Sequence, residues 1–109
     1  MSHVFKALSD PTRRRVLQLL RSGPLSAGEL SDHFEVSKPT MSAHFAVLQE
    51  ADLIAAEKRG RTILYRFKLS VLEDALLAFA QTVGLGSPAR GRRRSKTAEA
   101  ARRPLRGVS

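Results

Sequence analysis

The sequence predicts a mainly α-helical (α+β) domain with one two-stranded β-hairpin, followed by a disordered basic tail. Capping residues and apolar positions at helical spacing recur over the first half of the chain, and a shorter stretch of strand-like residues follows them. The charge is also unevenly divided. Residues 1–84 carry eleven basic and nine acidic side chains, whereas residues 85–109 carry eight basic ones against Glu99 alone. We therefore predict a folded domain at 1–84 and a tail at 85–109.

The first two predicted helices meet at the pair Asp10-Pro11. Val4 and Leu8 lie one helical turn apart and predict a helix before this boundary. Asp10 can accept hydrogen bonds from the free amides of the next helix, and Pro11 at its first position loses nothing by lacking an N–H. The second helix ends at the breaker sequence of residues 22–24.

Two further helices are predicted in the middle of the chain. Ser26 and Glu29 have the spacing of a capping box, which opens a helix of about eight residues. Ser37 can cap the next helix, so about three residues are left as a turn between the two. The buried row of the later helix is Met41, Phe45 and Leu48.

A hairpin and a last helix complete the folded part. Strands are predicted at 54–58 and 62–68, with Gly60 available for a positive φ in the basic turn between them. Ser70 and Glu73 form a second candidate capping box. The helix that they open is apolar around more than one stripe, so we expect it to face both its own core and a second chain.

This order of elements describes a winged helix-turn-helix. Its second helix enters the major groove of DNA and its hairpin, the wing, reaches flanking phosphate or the minor groove. Three arginines also stand at the N-terminal end of the second helix of the chain, where the helix dipole disfavours cations. A contact with phosphate or with an acidic side chain across a dimer is open for them, and so is ordinary solvated charge or pairing with Asp10. The predicted DNA-contacting residues are Ser37, Lys38, Thr40, Met41, Ser42, Ala43, His44, Arg59, Arg61, Arg13 and Arg14, with Val47 on the same face.

Two motifs carry a resemblance to a known family. The run VFKALSDPTRR at residues 4–14 and the run SKPTMSAHFAVL at 37–48, followed by ADLI at 51–54, resemble the ArsR/SmtB family of bacterial repressors and, within it, the SdpR-like branch. The resemblance covers about residues 3–83. It implies a homodimer joined through the first and last helices, which binds an inverted-repeat operator and is released by a signal. The residues expected at the dimer interface are Val4, Phe5, Leu8, Leu72, Leu76, Phe79 and Val83.

The sequence lacks the metal ligands that some members of this family carry. The chain has no cysteine, and residues 26–29 stand where thiolate members carry Cys-x-Cys; the last helix holds no histidine for an interface site. Imidazole with carboxylate suits zinc or nickel, so His3 and His33, with Asp32 or Glu35, stay weak candidate ligands. The favoured interpretation makes these two histidines surface residues.

Composition excludes several classes of protein. Without cysteine there are no disulfides, thiolate sites or cysteine nucleophiles, and no nucleophile-and-base arrangement or phosphate-binding glycine loop indicates an enzyme. No apolar run approaches the ~20 residues of a membrane span, so we expect a soluble, cytoplasmic, nucleoid-associated bacterial protein. Two alternatives remain open: a non-specific nucleic-acid-binding protein that acts through its tail, and a dimeric module that binds an effector or partner protein.

Overall fold

The computed structural model describes residues 2–85, and it confirms the mainly α winged helix-turn-helix. Apart from Leu85, the predicted tail at 85–109 lies outside the described residues. Within the described residues, 2–75 form one compact unit and 76–85 belong to a second, so the boundary falls within the last helix. The elements are α1 Ser2–Leu8, α2 Pro11–Leu20, β1 Leu25–Ser26, α3 Ala27–Ser31, α4 Lys38–Glu50, β2 Ile54–Arg59, β3 Thr62–Phe67 and α5 Leu69–Thr82.

The boundary between α1 and α2 is the one that the sequence predicts. The Asp10 carboxylate accepts hydrogen bonds from the backbone N–H groups of Thr12, at 2.8 Å, and Arg13, at 3.2 Å. Pro11 occupies the first turn of α2. The buried side of α2 then joins the core through Val16, Leu17 and Leu20.

The capping box at the start of α3 is confirmed, but this helix is shorter than predicted. The Ser26 hydroxyl accepts from the Glu29 amide at 3.0 Å, and the Glu29 carboxylate accepts from the Ser26 amide at 2.8 Å. The helix ends at Ser31, because the amides of His33 and Phe34 donate to carbonyls only three residues back, those of Leu30 and Ser31. The link to α4 therefore spans residues 32–37, longer than the expected three-residue turn.

Helix α4 ends in a tight C-terminal motif that fixes the start of the wing. The N–H of Asp52 donates to the Gln49 carbonyl at 2.9 Å, and the N–H of Leu53 donates to the Leu48 carbonyl at 3.0 Å. This pair of bonds is a Schellman motif, with Asp52 in the left-handed region at φ 61°. Leu48 and Leu53, at its two ends, are both fully buried, so the turn is anchored in the core.

The sheet contains one strand more than predicted. Strands β2 and β3 pair from Ile54 opposite Phe67 to Arg59 opposite Thr62, which leaves a two-residue turn in which Gly60 has φ 63°. The short β1 pairs with the other edge of β3, so the order is β1-β3-β2. Two residues give no alternating pattern of their own, and β1 forms only because β3 offers free backbone groups.

Helix α5 begins at Leu69, so the prediction that Ser70 is its N-cap is wrong. The backbone at Ser70 is already helical, since the N–H of Val71 donates to the Lys68 carbonyl at 3.0 Å. Within residues 2–75, α5 contributes the half-buried Val71, Leu72 and Ala75 to the core. None of the helices in residues 2–85 is long and apolar enough to cross a membrane.

The largest fully buried side chains of residues 2–75 come from four different elements, α2, α3, α4 and β2, and from the turn after α4. They are Val16, Leu30, Met41, Leu48, Leu53 and Ile54. The rings of Phe45 and Tyr65 lie beside them, with centroids 4.7 Å apart, and so connect α4 to β3. Helix α4 is thereby fixed on the body of the domain along one side only.

Candidate nucleic-acid interface

Helix α4 presents a buried row and an exposed polar face. Met41 is 1% exposed and lies in the core with Phe45 and Leu48. Its contact with DNA stays a prediction, to which this position offers almost no side-chain surface. Val47 is also half-buried and packs against the core. The exposed residues of the helix include Lys38, Thr40, Ser42, Ala43, Ala46 and Gln49.

The first turn of α4 is held by two hydroxyl groups. The Ser37 hydroxyl accepts from the Thr40 amide at 3.2 Å and lies 2.9 Å from the Thr40 hydroxyl, to which it donates. Its proton is thus used within the helix, whereas Thr40 keeps its own hydroxyl proton for an outside acceptor. Both side chains are exposed, beside the exposed Lys38. This end of the helix therefore offers a donor and a cation to an anionic partner.

His44 is turned toward the domain rather than toward solvent. Its side chain is only 16% exposed, and its Nδ1 lies 3.2 Å from Nη1 of Arg13 and 3.9 Å from a carboxylate oxygen of Asp10. The expectation that His44 reads DNA is not supported by this position, because the nitrogen in question already has a partner inside the protein.

Arg13 and Arg14 face the C-terminal end of α1. The guanidinium of Arg13 donates from Nε to the Ala7 carbonyl at 2.8 Å and from Nη2 to the Lys6 carbonyl at 3.0 Å; Nη1 of Arg14 donates to the Leu8 carbonyl at 2.8 Å. These are carbonyls that a helix end leaves without intrahelical partners. The two arginines thus donate to the negative end of α1, where the Lys6 carbonyl also accepts from the amide and the hydroxyl of Ser9. The phosphate contact of Arg13 stays a prediction.

The surroundings of the Asp10 carboxyl group act on its pKa in opposite directions. Burial acts to raise its pKa. Hydrogen bonds from the amides of Arg13 and Thr12, together with attraction to the positive charge of Arg13, outweigh burial and lower the pKa below the usual value. Asp10 therefore stays ionised to a lower pH than an ordinary aspartate does.

The wing carries a basic tip that is partly paired. Arg59 donates from Nε to Glu57 at 2.9 Å, and Arg66 approaches the other oxygen of Glu57 at 3.4 Å. The hydrogen bond from Arg59 is the main reason that the pKa of Glu57 is lowered. Both pairs are exposed to solvent and therefore weak, so a phosphate can displace Glu57 at little cost. Arg61, next to Gly60 in the turn, is exposed as well.

Several exposed residues of this surface were not singled out by the sequence patterns. Gln49 and Ala46 lie on the exposed side of α4, and Lys58 and Arg66 add basic charge to the wing. Counting four and seven residues on from Ser42 along the helix would have found Ala46 and Gln49. The exposure of Lys58 follows from the hairpin register, which the sequence alone does not fix.

The apolar residues predicted for a dimer interface divide into three groups. Val4 is 5% exposed and belongs to the core of its own chain, so its place in the interface stays a prediction. Phe5, Leu8 and Leu72 are half-buried. Within residues 76–85 the exposed group comprises Leu76 at 48%, Phe79 at 44% and Val83 at 51%, together with Leu77 and Leu85.

The candidate metal ligands do not come together in the described part of the chain. His3 and His33 are both exposed, and residues 2–85 contain no group of three or more His, Asp or Glu side chains placed to hold an ion.

Comparison with known proteins gives several matches over the same part of the chain. A family model for a helix-turn-helix domain matches residues 8–56. The transcriptional repressor SdpR of Bacillus subtilis is 43% identical over 76 residues, which cover 70% of this chain and 84% of that protein. The arsenical resistance operon repressor of Staphylococcus aureus is 36% identical, with coverages of 70% and 73%.

Solved structures agree with the sequence comparison. An ArsR-like transcriptional regulator from Rhodococcus sp. is 32% identical with a TM-score of 0.66, and the match covers 76% of this chain and 77% of that one. HlyU from Vibrio cholerae is 26% identical with a TM-score of 0.62, and the match covers 74% and 88%. The similarity therefore extends through the winged helix-turn-helix and beyond the region of the family model.

Proposed function

Because the chain belongs to the ArsR family of helix-turn-helix transcriptional regulators, we propose that it is a homodimeric repressor that reads an inverted-repeat operator through α4 and the wing. It is a DNA-binding regulator and not an enzyme. The finer parts of the proposal are the dimer, the form of the operator and the residues that touch DNA.

One observation carries the proposal for the site. Helix α4 is held by Met41, Phe45 and Leu48 on one side and exposes short polar side chains on the other. A major groove about 12 Å wide admits one such helix, and short side chains let its backbone approach the base edges. We assign base contacts to Ser42 and Gln49, since both lie on this exposed face. Ala43 and Ala46 then supply apolar contact and close approach.

The ends of this surface suit phosphate rather than bases. Lys38 and the Thr40 hydroxyl stand at the start of α4, where the positive end of the helix dipole also favours an anion. Arg59 and Arg61 extend from the wing toward the flanking duplex. Phosphate contacts fix the position of a protein on DNA but carry no sequence information, so we assign these four residues to affinity and register.

A second copy of the chain would cover the apolar residues of α5. Leu76, Phe79 and Val83 recur at helical spacing with about half of each side chain exposed. An apolar row of this size on a DNA-binding regulator indicates a protein partner. A two-fold dimer would place its two recognition helices about 34 Å apart, one turn of DNA, and this predicts an operator with two inverted half-sites.

The signal that releases the operator is not assigned to a metal. Thiolate chemistry, the usual choice for soft metals, is excluded because the 109 residues contain no cysteine. We propose instead that a separate effector or partner protein controls the regulator, which acts on the bacterial chromosome in the cytoplasm.

Selection from a randomised duplex library with the full-length chain tests the proposal. The wild-type protein is expected to enrich a sequence with two inverted half-sites. The double variant Ser42→Ala, Gln49→Ala should lower affinity for the enriched duplex about tenfold or more and leave a scrambled duplex unaffected. The wing variant Arg59→Gln, Arg61→Gln should instead weaken both duplexes by similar factors.

Two outcomes would contradict these assignments. If the wild-type protein enriches no sequence and binds every duplex equally, it is the alternative, a non-specific nucleic-acid-binding protein. If the α4 variant weakens both duplexes equally, Ser42 and Gln49 do not read bases.

A further inference from the structure

Arg13 connects the end of α1 to the recognition helix α4. Its three guanidinium nitrogens each have a different partner: Nε and Nη2 donate to the carbonyls of Ala7 and Lys6, and Nη1 lies 3.2 Å from Nδ1 of His44. Ala7 and Lys6 form the last turn of α1, whereas His44 lies in the middle of α4. One side chain thus contacts two helices that are more than thirty residues apart in the chain.

The backbone of Arg13 is also held in place. The backbone N–H of Arg13 donates to Asp10 at 3.2 Å, so the residue is anchored in the first turn of α2 before its side chain extends. Asp10 itself lies 3.9 Å from His44. Elements α1 and α2 both pack against α4 in this region. The junction therefore joins all three helices through Asp10, Arg13 and His44.

In the contact between Arg13 and His44, the arginine can only be the donor and the imidazole can only be the acceptor. A guanidinium group has N–H donors and no acceptor, so Nδ1 of His44 must carry the lone pair. The imidazole proton is then on Nε2. This contact orients the ring and places α4 relative to α1, with a charged donor that is 2.8–3.2 Å from each of its three acceptors.

We propose that Arg13 is a positioning residue for DNA reading, which sets the placement of the recognition helix α4 through His44 and makes it depend on the placement of α1. The inference rests on the proposed function, in which α4 reads bases. It assigns His44 an inward role, in place of a contact with DNA. It also gives the regulator a direct physical connection between the first helix and the helix that reads the operator.

Lysine at position 13 separates this role from a phosphate contact. Lys keeps the positive charge, so a residue that only attracted phosphate would keep most of its effect. It presents one ammonium group in place of the planar fork, and therefore cannot reach both α1 carbonyls and His44 together. Arg15 provides the matched control, because it is exposed, begins on the same helix and donates only to Gln18 at 2.9 Å.

The experiment compares full-length variants on two duplexes of about 30 base pairs, the sequence enriched by the wild-type protein and its scrambled counterpart. We expect Arg13→Lys to lower affinity for the enriched duplex about tenfold, the equivalent of one charged hydrogen bond, with less than a twofold change on the scrambled duplex. Arg15→Lys should leave both affinities unchanged. Wild-type affinities of Arg13→Lys on both duplexes, or equal losses on both, would overturn the proposal.

A pair of substitutions at His44 tests the same contact without removing the arginine. Asn keeps an acceptor near the position of Nδ1, whereas Leu keeps bulk and removes the acceptor. We expect His44→Asn to retain the preference for the enriched duplex and His44→Leu to lose it about as far as Arg13→Lys does. Equal behaviour of the two variants would contradict a role for the acceptor.

An NMR measurement on the protein without DNA completes the test. The ring-nitrogen shifts of His44 should show an Nδ1 that accepts a hydrogen bond in the wild-type chain and in Arg15→Lys, and a free one in Arg13→Lys. Unchanged shifts in Arg13→Lys would overturn the contact itself. If the wild-type chain enriches no sequence, the proposed function and the positioning role fail together. If it does enrich a sequence and the affinity of Arg13→Lys for that duplex equals that of the wild type, only the positioning role fails.

Discussion

Replacement of Asp10 by alanine should destabilise the domain through the start of α2. The carboxylate is the acceptor for two amides, those of Thr12 at 2.8 Å and Arg13 at 3.2 Å, which have no other partner within the helix. Alanine leaves both donors without a side-chain acceptor. It also removes the negative charge next to Arg13 and His44, so the junction below α4 loses its anion.

The size of the effect follows from these contacts. Loss of an Asp N-cap costs about 1–2 kcal/mol, which for a domain of this size lowers the melting temperature by about 5–10 °C. Asparagine caps helices about as well as aspartate, so Asp10→Asn should lie within about 0.5 kcal/mol of the wild type at neutral pH. The difference between the two variants separates the hydrogen-bond acceptor from the charge.

The lowered pKa of Asp10 adds a dependence on pH with a definite sign. Because the pKa of the carboxyl is lower in the folded chain than in the unfolded one, its stabilising contribution is complete above the unfolded value, about pH 4. The contribution is lost as the pH falls through the folded value. The stability advantage of the wild type over Asp10→Asn should therefore decrease below about pH 4 and stay constant above it.

Thermal and urea unfolding at one protein concentration measure these differences, since a dimer would make the midpoint depend on concentration. Asp74→Ala, which removes an exposed carboxylate from α5, serves as the control and should change stability by less than about 0.5 kcal/mol. An unfolding free energy of Asp10→Ala equal to that of the wild type would refute the capping argument. An Asp10→Asn variant as unstable as Asp10→Ala would show that charge, and not the acceptor, holds the helix.

Three further predictions concern the core, the turn after α4 and the tail. Leu48→Ala should lose about 2–5 kcal/mol in urea unfolding, because the side chain is fully buried, and a smaller loss would mean that the site collapses around the cavity. Asp52→Gly should leave the stability nearly unchanged, because the relief of backbone strain at φ 61° offsets the loss of the ion pair with Lys68 at 2.7 Å. Asp52→Val should lose about 1–2 kcal/mol of unfolding free energy, and the reverse order of the two variants would contradict the left-handed conformation. Deletion of residues 85–109, which carry eight basic side chains, should reduce the slope of DNA affinity against salt and keep the sequence preference, and an unchanged slope would mean that the tail does not contact phosphate.

Much of the fold could be predicted from local patterns. The Asp10 cap and the Ser26 capping box are set by residues three or fewer positions apart, and the buried row of α4 follows from helical period alone. Gly60 marks the turn of the wing for the same kind of reason, because the conformation there suits glycine. One local signal failed, at the start of α5. Ser70 has the spacing of a cap, but the helix already includes it.

The candidate site was less predictable than the fold. Sequence spacing placed Ser42, Lys38 and the wing arginines on the surface, and the structure agrees. It could not separate Met41 from its neighbours as a DNA contact, although the same residue was already in the buried row. Nor could it predict the inward orientation of His44, which depends on Arg13, a residue thirty-one positions away.

The sequence by itself determined that a helix-turn-helix with a basic wing is present, because caps, turns and helical period are properties of neighbouring residues. Only the tertiary structure decided what the arginines at the start of α2 do. At the N-terminal end of their own helix they are unfavourably placed cations, but they also donate to the C-terminal carbonyls of α1, where a positive charge is favourable. The physical reason is that the favourable electrostatic partner is on another helix, and its position is set only when the core brings α1, α2 and α4 together.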